Sequence, residues 1–243
     1  MLINHSNQRS VHVLQDYCDF LAHALQVPVP LITNRPLLFL SDEEKGWLNQ
    51  VAEQHGKPDR WWVLNAGGKR DFTAKQYPYF QEVVDRLQGR VTFVQVGKLE
   101  HAHRPLRGVV NLLGKTDDRQ LIRLCHHARG VLCGVTFTMH IAAALQKPAV
   151  VVAGAREPRS WNTYPGIVLL NNVGSLRCPT VIANEACWRS RVVKLNDGQE
   201  QDGSLCDNPV MTDQPASKCM AMITPEEVVR AVEGYYVGGV LSY

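Results

Sequence analysis

The chain has 243 residues, of which 45% are hydrophobic and 20% are charged, and its formal net charge is +3. This length is enough to bury a sizeable hydrophobic core, and the composition excludes a disordered tail and a disulfide-stapled miniprotein. The weak positive charge does not argue for a nucleic-acid partner, although it is compatible with a local basic site for phosphates.

Location and redox environment are predicted from the same composition. No run of about 18 apolar residues occurs, and the first residues lack the charged and hydrophobic regions of a signal peptide. Seven cysteines form an odd number at low density, which disfavours a secretory disulfide framework. These observations predict a cytoplasmic protein without a transmembrane segment.

The first sixty residues are predicted to form a helical lead-in. Between residues 11 and 25, apolar side chains recur at three- and four-residue spacing, which lines one face of a helix. Ser41 and Glu44 make a capping box that opens a second helix toward Gln54. The lead-in is therefore amphipathic and needs a surface to pack against.

From residue 61 onward, short apolar runs alternate with helical segments, which argues for a parallel sheet. Near-continuous apolar strands are expected where helices cover both faces of such a sheet. The predicted fold class is α/β, a Rossmann-like parallel sheet with helices on both faces over residues 61–243. We predict strands at 61–64, 91–96, 109–112, 131–133, 149–153 and 167–170, helices at 77–88, 118–128, 138–145 and 224–236, the last one capped by Thr224 and Glu227, and a cysteine-containing insertion at 174–222.

Two glycine-containing segments follow predicted strands, where open parallel sheets bind their ligands. The segment 65–70, Asn-Ala-Gly-Gly-Lys-Arg, combines two glycines with two cations, which suits an anionic ligand. The segment 113–117 places Lys115 beside the start of the next helix, but it lacks the spacing of a Walker A motif, which excludes an NTPase of that type. Both segments are also ordinary turn sequences, and this alternative stays open.

A third segment, 134–144, joins a strand to a helix and offers hydroxyl and main-chain N–H groups at a helix N-terminus, which stabilises a phosphate. His140 lies near the start of this helix, either as a hydrogen-bonding core residue or as a ligand contact. After the strand at 149–153, Arg156 and Glu157 either extend the site or form a surface ion pair.

The order of these motifs resembles the C-terminal half of glycosyltransferase family 9, which includes the ADP-heptose:lipopolysaccharide heptosyltransferases. The likeness covers roughly residues 61 to 172 and rests on Lys75-Gln76-Tyr77-Pro78 before a helix, Gly97 after a strand, Gly114-Lys115-Thr116, and the run from Thr136 to Ala144. It implies the donor-binding domain of a GT-B enzyme. Such an enzyme transfers a sugar, here expected to be a heptose, from a nucleoside-diphosphate donor without a catalytic metal.

By this resemblance, Lys75 contacts the donor phosphates, residues 136–140 lie beneath the pyrophosphate, and residues 114–116 line the nucleoside side. A preoriented lysine and a helix N-terminus can stabilise the negative charge of a departing nucleoside diphosphate without a metal. The predicted donor-binding residues are Gly67, Gly68, Lys69, Lys75, Gly97, Gly114, Lys115, Thr116, Thr136, Phe137, Thr138, Met139, His140, Arg156 and Glu157.

Two departures separate the sequence from the family pattern. The family's Asp-Thr-Gly, five residues before the histidine, is replaced by Val135-Thr136-Phe137, so the donor contacts there are expected to differ. The family's acceptor-binding N-terminal domain, which carries the general base, has no counterpart in the lead-in. We therefore expect the base to lie outside this chain. The expected partner is either a chain that supplies an acceptor domain or further copies of this chain in a homo-oligomer.

Four late cysteines, Cys178, Cys187, Cys206 and Cys219, fall in one stretch with 8, 18 and 12 residues between them. Four thiolates suit a tetrahedral structural zinc or iron ion, although the stronger Cys-x-x-Cys signature is absent. Some family 9 relatives that modify autotransporter proteins look similar in carrying a four-cysteine metal finger. Reduced thiols without a metal are the alternative, and disulfides are disfavoured.

Three functions are consistent with these patterns. The first is a family 9 glycosyltransferase, represented by its donor half. The second is a noncatalytic nucleotide-sugar-binding or assembly module, and the third is a metal-stapled interaction domain in which the Gly-Lys segments are only turns. The first two predict that Lys75, Lys115 and His140 converge on one pocket, and a placement of these residues on distant faces would contradict both.

Overall fold

A parallel sheet forms the centre of the computed structural model, which describes residues 11–47, 51, 61–178, 186–198, 204–211 and 213–242. Its strands are β1 Trp61–Asn65, β2 Thr92–Gln95, β3 Val110–Asn111, β4 Gly130–Gly134, β5 Ala149–Gly154 and β6 Ile167–Asn171. In this described part the strands follow the order β3-β2-β1-β4-β5-β6, and every neighbouring pair is parallel. The predicted Rossmann-like sheet is confirmed, and the strand order reverses between β1 and β4.

The helices and the shorter elements surround this sheet. They are α1 Val13–Leu25, α2 Asp42–Gly46, α3 Phe80–Leu87, α4 Asp118–His127, α5 Phe137–Ala144, α6 Lys218–Ala221 and α7 Pro225–Val237. The 3₁₀ turns Arg70–Lys75 and Arg159–Asn162 follow β1 and β5, and the short strands β7 Pro209–Val210 and β8 Ala216–Ser217 pair antiparallel.

Capping boxes start α2 and α7 as predicted, at Ser41 and Thr224. A third capping box, at Asp117, starts α4. The helix predicted to run toward Gln54 ends at Gly46, because Trp47 already has extended backbone angles. Of its predicted continuation, residues 48–50 and 52–54 lie outside the described part of the chain, and Val51 is helical.

Two hydrophobic clusters cover the two faces of the sheet. Successive side chains of a strand point to opposite faces, and the alternation in β1 shows this directly: Trp61 and Val63 belong to one cluster, and Trp62 and Leu64 to the other. Helices α4 and α5 contribute to the first cluster, and α3 and α7 contribute to the second. Coverage of both faces explains why β4 and β5 are buried along their whole length.

The lead-in packs against the first cluster through Leu14, Leu38 and Leu40. It also contacts α4, because Arg119 pairs with Glu44 and donates a hydrogen bond to a main-chain carbonyl of the lead-in. Other apolar side chains of the lead-in are exposed, among them Leu25, Ile32, Leu37 and Phe39. Within the described residues, no helix has the length and apolarity needed to span a membrane.

The late segment packs at the carboxyl end of the sheet. Helix α6 contacts β5, and β8 contacts the 3₁₀ turn that follows β1. The approach is close, since a β-carbon at Gly154, the last residue of β5, would lie 2.7 Å from the sulfur of Met220 and 3.3 Å from Cys219 Sγ. The cysteine-containing stretch is therefore placed beside the strand ends at which a ligand would bind.

Candidate functional site

A cavity of about 390 Å³ opens at the carboxyl ends of β1, β2 and β4. Its wall consists of the loops after β1 and β2, the turn before α4, the start of α5 and the turn after β5. This place is the topological switch point between β1 and β4, where open α/β sheets bind their ligands. The volume lies in the range of cavities that hold small molecules and cofactors.

Most of the predicted donor-binding residues line this cavity. The structure thus brings Lys75 and His140 together, although they are far apart in the sequence. Gly114, Lys115, Met139 and Arg156 are not part of the wall. The predicted residues on the wall are Gly67, Gly68, Lys69, Lys75, Gly97, Thr116, Thr136, Phe137, Thr138, His140 and Glu157.

Local structure explains why three of these four residues do not line the cavity. Met139 is fully buried in the hydrophobic core. Gly114 has a φ of +68°, and the Lys115 N–H donates to the carbonyl of Leu112 at 3.1 Å, which makes this segment a tight turn. Lys115 is exposed, so the expected convergence of Lys115 with Lys75 and His140 is not observed.

Lys75 ends the 3₁₀ turn after β1, and its Nζ lies 2.7 Å from Glu157 Oε1. Glu157 is only 5% exposed, pairs also with Arg156, and accepts a hydrogen bond from Asn162 Nδ2 at 2.7 Å. The alternative of a surface ion pair for Arg156 and Glu157 is therefore wrong, because the pair is buried. The phenyl ring of Phe72 lies 5.6 Å from Lys75 Nζ and 5.2 Å from Arg156 Cζ.

The electrostatics of this group favour an additional anion. Burial lowers the pKa of Lys75, the charge of Glu157 opposes that shift, and the charge of Arg156 adds to it. The three side chains together carry two positive charges and one negative charge. A phosphate beside Lys75 would compensate the remaining positive charge, which comes from Arg156 behind the wall. The wall itself carries both signs of charge, since Lys69 and Lys98 line it as well as Asp117 and Asp118.

The N-terminus of α5 forms the neighbouring part of the wall. Its N-cap residue, Thr136, makes no side-chain capping bond, and its first turn contains no acidic residue. Asn65 Nδ2 donates to Thr138 Oγ1 at 2.8 Å, which joins the end of β1 to the start of α5. The partial positive charge of a helix N-terminus therefore adds to that of Lys75 on the same cavity.

His140 makes the hydrogen bond of a core residue and also lines the cavity, and its role as a ligand contact stays a prediction. Its Nδ1 lies 2.7 Å from the hydroxyl of Tyr164, as expected for a hydrogen-bonding core residue, and its side chain lines the cavity. Burial lowers the pKa of His140, with a smaller opposing effect from Glu157. The pKa of Tyr164 is raised to about 12, mainly by burial. Both groups are therefore uncharged at neutral pH.

His103 is a wall residue that the sequence analysis missed. Its ring occupies the space next to two glycines: a β-carbon at Gly67 would lie 2.5 Å from its Nδ1, and one at Gly97 would lie 2.3 Å from its Cε1. Burial lowers the pKa of His103 to about 4, so the ring is neutral. The two glycines were the available signal, but nothing in the sequence identifies the side chain that needs them. Phe72 and Asn162 were missed as well.

The four late cysteines line a second, small cavity of about 30 Å³, together with Arg156. None of the seven cysteines forms a disulfide. Burial raises the pKa of Cys187, and it raises the pKa of Cys206 to about 11. Among the described residues, no group of three or more His, Cys, Asp or Glu side chains has the geometry of a metal site. The donor set nevertheless fits zinc or iron in its chemistry, because all four late cysteines line this one cavity.

Comparison with known families adds the decisive observation. The sequence profile of glycosyltransferase family 9 (heptosyltransferase) matches residues 2–178. The chain belongs to this family. The match includes the lead-in as well as the segment whose motifs carry the resemblance. No curated protein sequence matches the chain.

Solved structures of the family share the fold. E. coli ADP-heptose LPS heptosyltransferase II has a TM-score of 0.57 at 18% identity, over 90% of this chain and 58% of that one. A family 9 glycosyl transferase from Veillonella parvula DSM 2008 has a TM-score of 0.52 at 16% identity, over 69% of this chain and 51% of that one. The dodecameric iron-containing heptosyltransferase TibC from enterotoxigenic E. coli was solved with ADP-D-beta-D-heptose. It has a TM-score of 0.52 at 16% identity, over 87% of this chain and 49% of that one. This chain thus spans only about half to three fifths of their length.

Proposed function

We propose that the 390 Å³ cavity binds a nucleoside-diphosphate sugar and that this chain provides the donor side of a glycosyltransferase. The observation that carries the proposal is the convergence of Lys75 and the N-terminus of α5 on one cavity at the switch point of the sheet. Membership of family 9 and the relatives described with ADP-heptose favour ADP-heptose as the donor and heptose as the transferred sugar.

The proposed mechanism needs no catalytic metal. As the glycosidic bond breaks, negative charge accumulates on the departing diphosphate. The ammonium group of Lys75 and the N–H groups at the start of α5 would stabilise this charge, and Glu157 and Asn162 would keep Lys75 in place. Interactions that strengthen as charge develops lower the barrier to transfer.

The acceptor side of the reaction is proposed to come from a partner. Transfer requires a base that takes a proton from the acceptor hydroxyl. We assign that base to an acceptor domain supplied by a partner chain. TibC is described as dodecameric, and sedimentation of the purified protein tests whether copies of this chain associate. The cytoplasmic location expected from the sequence stays a prediction.

Calorimetry with ADP and with ADP-heptose tests the proposed donor site. We expect both ligands to bind, and we expect Lys75→Ala to weaken ADP binding by about tenfold or more, because a charge-assisted contact to phosphate is lost. Lys45→Ala, on the exposed side of α2, is the matched control and should leave the affinity unchanged. Absence of ADP binding, or an unchanged affinity for Lys75→Ala, would contradict the proposed site.

A transfer assay separates the enzyme from a noncatalytic binding module. Candidate acceptors are incubated with ADP-heptose and with the protein in the presence and absence of its neighbouring gene products. Release of ADP that depends on an acceptor supports the glycosyltransferase. Binding of ADP-heptose without acceptor-dependent release in any combination would favour the binding module.

We also propose that Cys178, Cys187, Cys206 and Cys219 hold a structural zinc or iron ion. The four sulfurs around one small cavity support this proposal, and TibC is described as iron-containing. Such an ion would fix the late segment by joining parts that lie far apart in the sequence. Elemental analysis of protein purified without chelators should find about one ion per chain, and protein free of both zinc and iron would contradict the proposal.

A further inference from the structure

Residues 187–192, here called the bridging segment, lie between the cysteine cavity and the donor cavity. At one end, Cys187 lines the cysteine cavity. Further along, Ser190 accepts a hydrogen bond from the N–H of Ala74 at 3.0 Å, and the N–H of Val192 donates to Thr73 Oγ1 at 2.9 Å. Ala74 and Thr73 belong to the 3₁₀ turn that ends at Lys75. The bridging segment therefore supports the backbone that carries Lys75.

A second connection runs through the side chain of Arg156. Its Nε donates to the carbonyl of Arg189 at 2.6 Å, and its Nη2 donates to the carbonyl of Trp188 at 3.4 Å. The N–H of Trp188 donates back to the carbonyl of Arg156 at 3.0 Å. The remaining nitrogen, Nη1, contacts Glu157, which in turn contacts Lys75. Arg156 thus joins the bridging segment to the ammonium group of Lys75 through one carboxylate.

The bridging segment is itself firmly held. The N–H groups of Ser190 and Arg191 both donate to the carbonyl of Ser204, at 3.0 and 2.9 Å, and the N–H of Cys206 donates to the carbonyl of Arg191 at 2.7 Å. Trp188 has a φ of +53°, which is unfavourable for a bulky residue. Such a conformation persists where the surroundings determine it, and the ring of Trp188 packs edge-on against Trp161, a wall residue of the donor cavity.

We propose that Arg156 is a positioning residue that sets the place of Lys75 from behind the donor cavity. This inference rests on the proposed role of Lys75 in holding donor phosphates. The flexible stem of a lysine leaves its ammonium group without a fixed place, whereas the planar guanidinium of Arg156 holds two carbonyls and one carboxylate in one geometry. Arg156 is buried and does not line the donor cavity, so it acts through Glu157 rather than on the ligand.

The test is a double-mutant cycle on the affinity for ADP, measured by calorimetry. Arg156→Lys keeps the charge but cannot make the forked contacts, and we expect it to raise the Kd by about tenfold. Arg159→Lys is the matched control, because Arg159 is exposed and off the wall, and it should change the Kd by less than about twofold. In a Lys75→Ala background, Arg156→Lys should have almost no further effect. An equal loss in both backgrounds would overturn the proposal.

A measurement without ligand keeps the inference separate from the proposed function. Lysines of the free protein are labelled with ¹³C-methyl groups, and the Lys75 resonance is assigned by its loss in Lys75→Ala. We expect this resonance to move in Arg156→Lys and in Glu157→Gln, but not in Arg159→Lys. An unmoved resonance in both test variants would overturn the positioning role, and Glu157→Gln alone decides if Arg156→Lys fails to fold. Failure of the wild-type protein to bind ADP would contradict only the proposed function.

Discussion

The ring of His103 packs against Gly67 and Gly97, and it fits there because neither residue has a β-carbon. A β-carbon at Gly67 would lie 2.4 Å from the carbonyl oxygen of Ala102, whereas nothing lies within 4 Å of one at Gly68. Gly67→Ala should therefore destabilise the protein by about 1–3 kcal/mol through overpacking, and Gly68→Ala serves as the matched control. Urea unfolding of both variants checks this expectation, and equal stabilities would contradict it.

Burial of His103 also predicts a pH dependence of stability. The pKa of this ring is about 4 in the folded protein, compared with 6.5 for an unperturbed histidine. The unfolded chain therefore binds more protons between these values, and stability falls as the pH is lowered from about 6.5 toward 4. Replacing His103 by glutamine should make this loss smaller. Denaturant titrations of both proteins at pH 7.5 and pH 5 measure the difference, and identical losses would argue against it.

At the scale of single residues, the sequence signals have different origins. Gly67 and Gly68 were selected because glycines allow close approach of a ligand, and Lys75 was selected through the resemblance to family 9. All three line the same cavity, and their contact with a donor stays a prediction. His103 could not be selected, since its role depends on Gly67 in another loop and on the return of its own loop toward Gly97. Lys115 was selected but does not line the cavity. A Gly-Lys-Thr turn has the same sequence whether its lysine faces a cavity or the solvent, and Lys115 is exposed.

Helices and strands were predicted well because their signals are local. Capping boxes and apolar runs determine where elements begin and how they face the core, which is why the predicted strands match β1 to β6. The bridging segment lacked such signals. Its contacts join residues more than one hundred positions apart, such as Thr73 and Val192, and no local pattern encodes them.

The start of α7 offers a test at the level of one element. The Thr224 side chain accepts from the N–H of Glu227 at 3.2 Å, and the Glu227 carboxylate accepts from the N–H of Thr224 at 2.7 Å. Thr224→Ala should lower the free energy of unfolding by about 1 kcal/mol, because the cap is lost. Thr224→Ser keeps the hydroxyl and should stay close to the wild type in the same denaturant titration. A loss of equal size in the serine variant would show that the cap is not responsible.

At the scale of the whole molecule, the proposed metal ion in the four-cysteine cavity would add to the contacts that attach the late segment to the sheet. If a metal ion is held there, a strong chelator should lower the melting temperature of the wild-type protein, since binding to the folded state adds stability. Cys206→Ser should already be destabilised and should respond little to the chelator. Cys18→Ser, in α1 and away from the cavity, is the control and should respond like the wild type. Equal responses of all three proteins would contradict the metal proposal.

The bond between Asn65 and Thr138 lies across the point where the strand order reverses. It joins the two sides of the donor cavity, so the cavity cannot widen there without breaking this hydrogen bond. A cavity that is preorganised in this way loses its conformational entropy when the chain folds and not when a nucleotide binds. The association rate of ADP should then be limited by diffusional encounter rather than by a rearrangement of the protein. The backbone around the cavity should shift by less than about 1 Å when ADP binds.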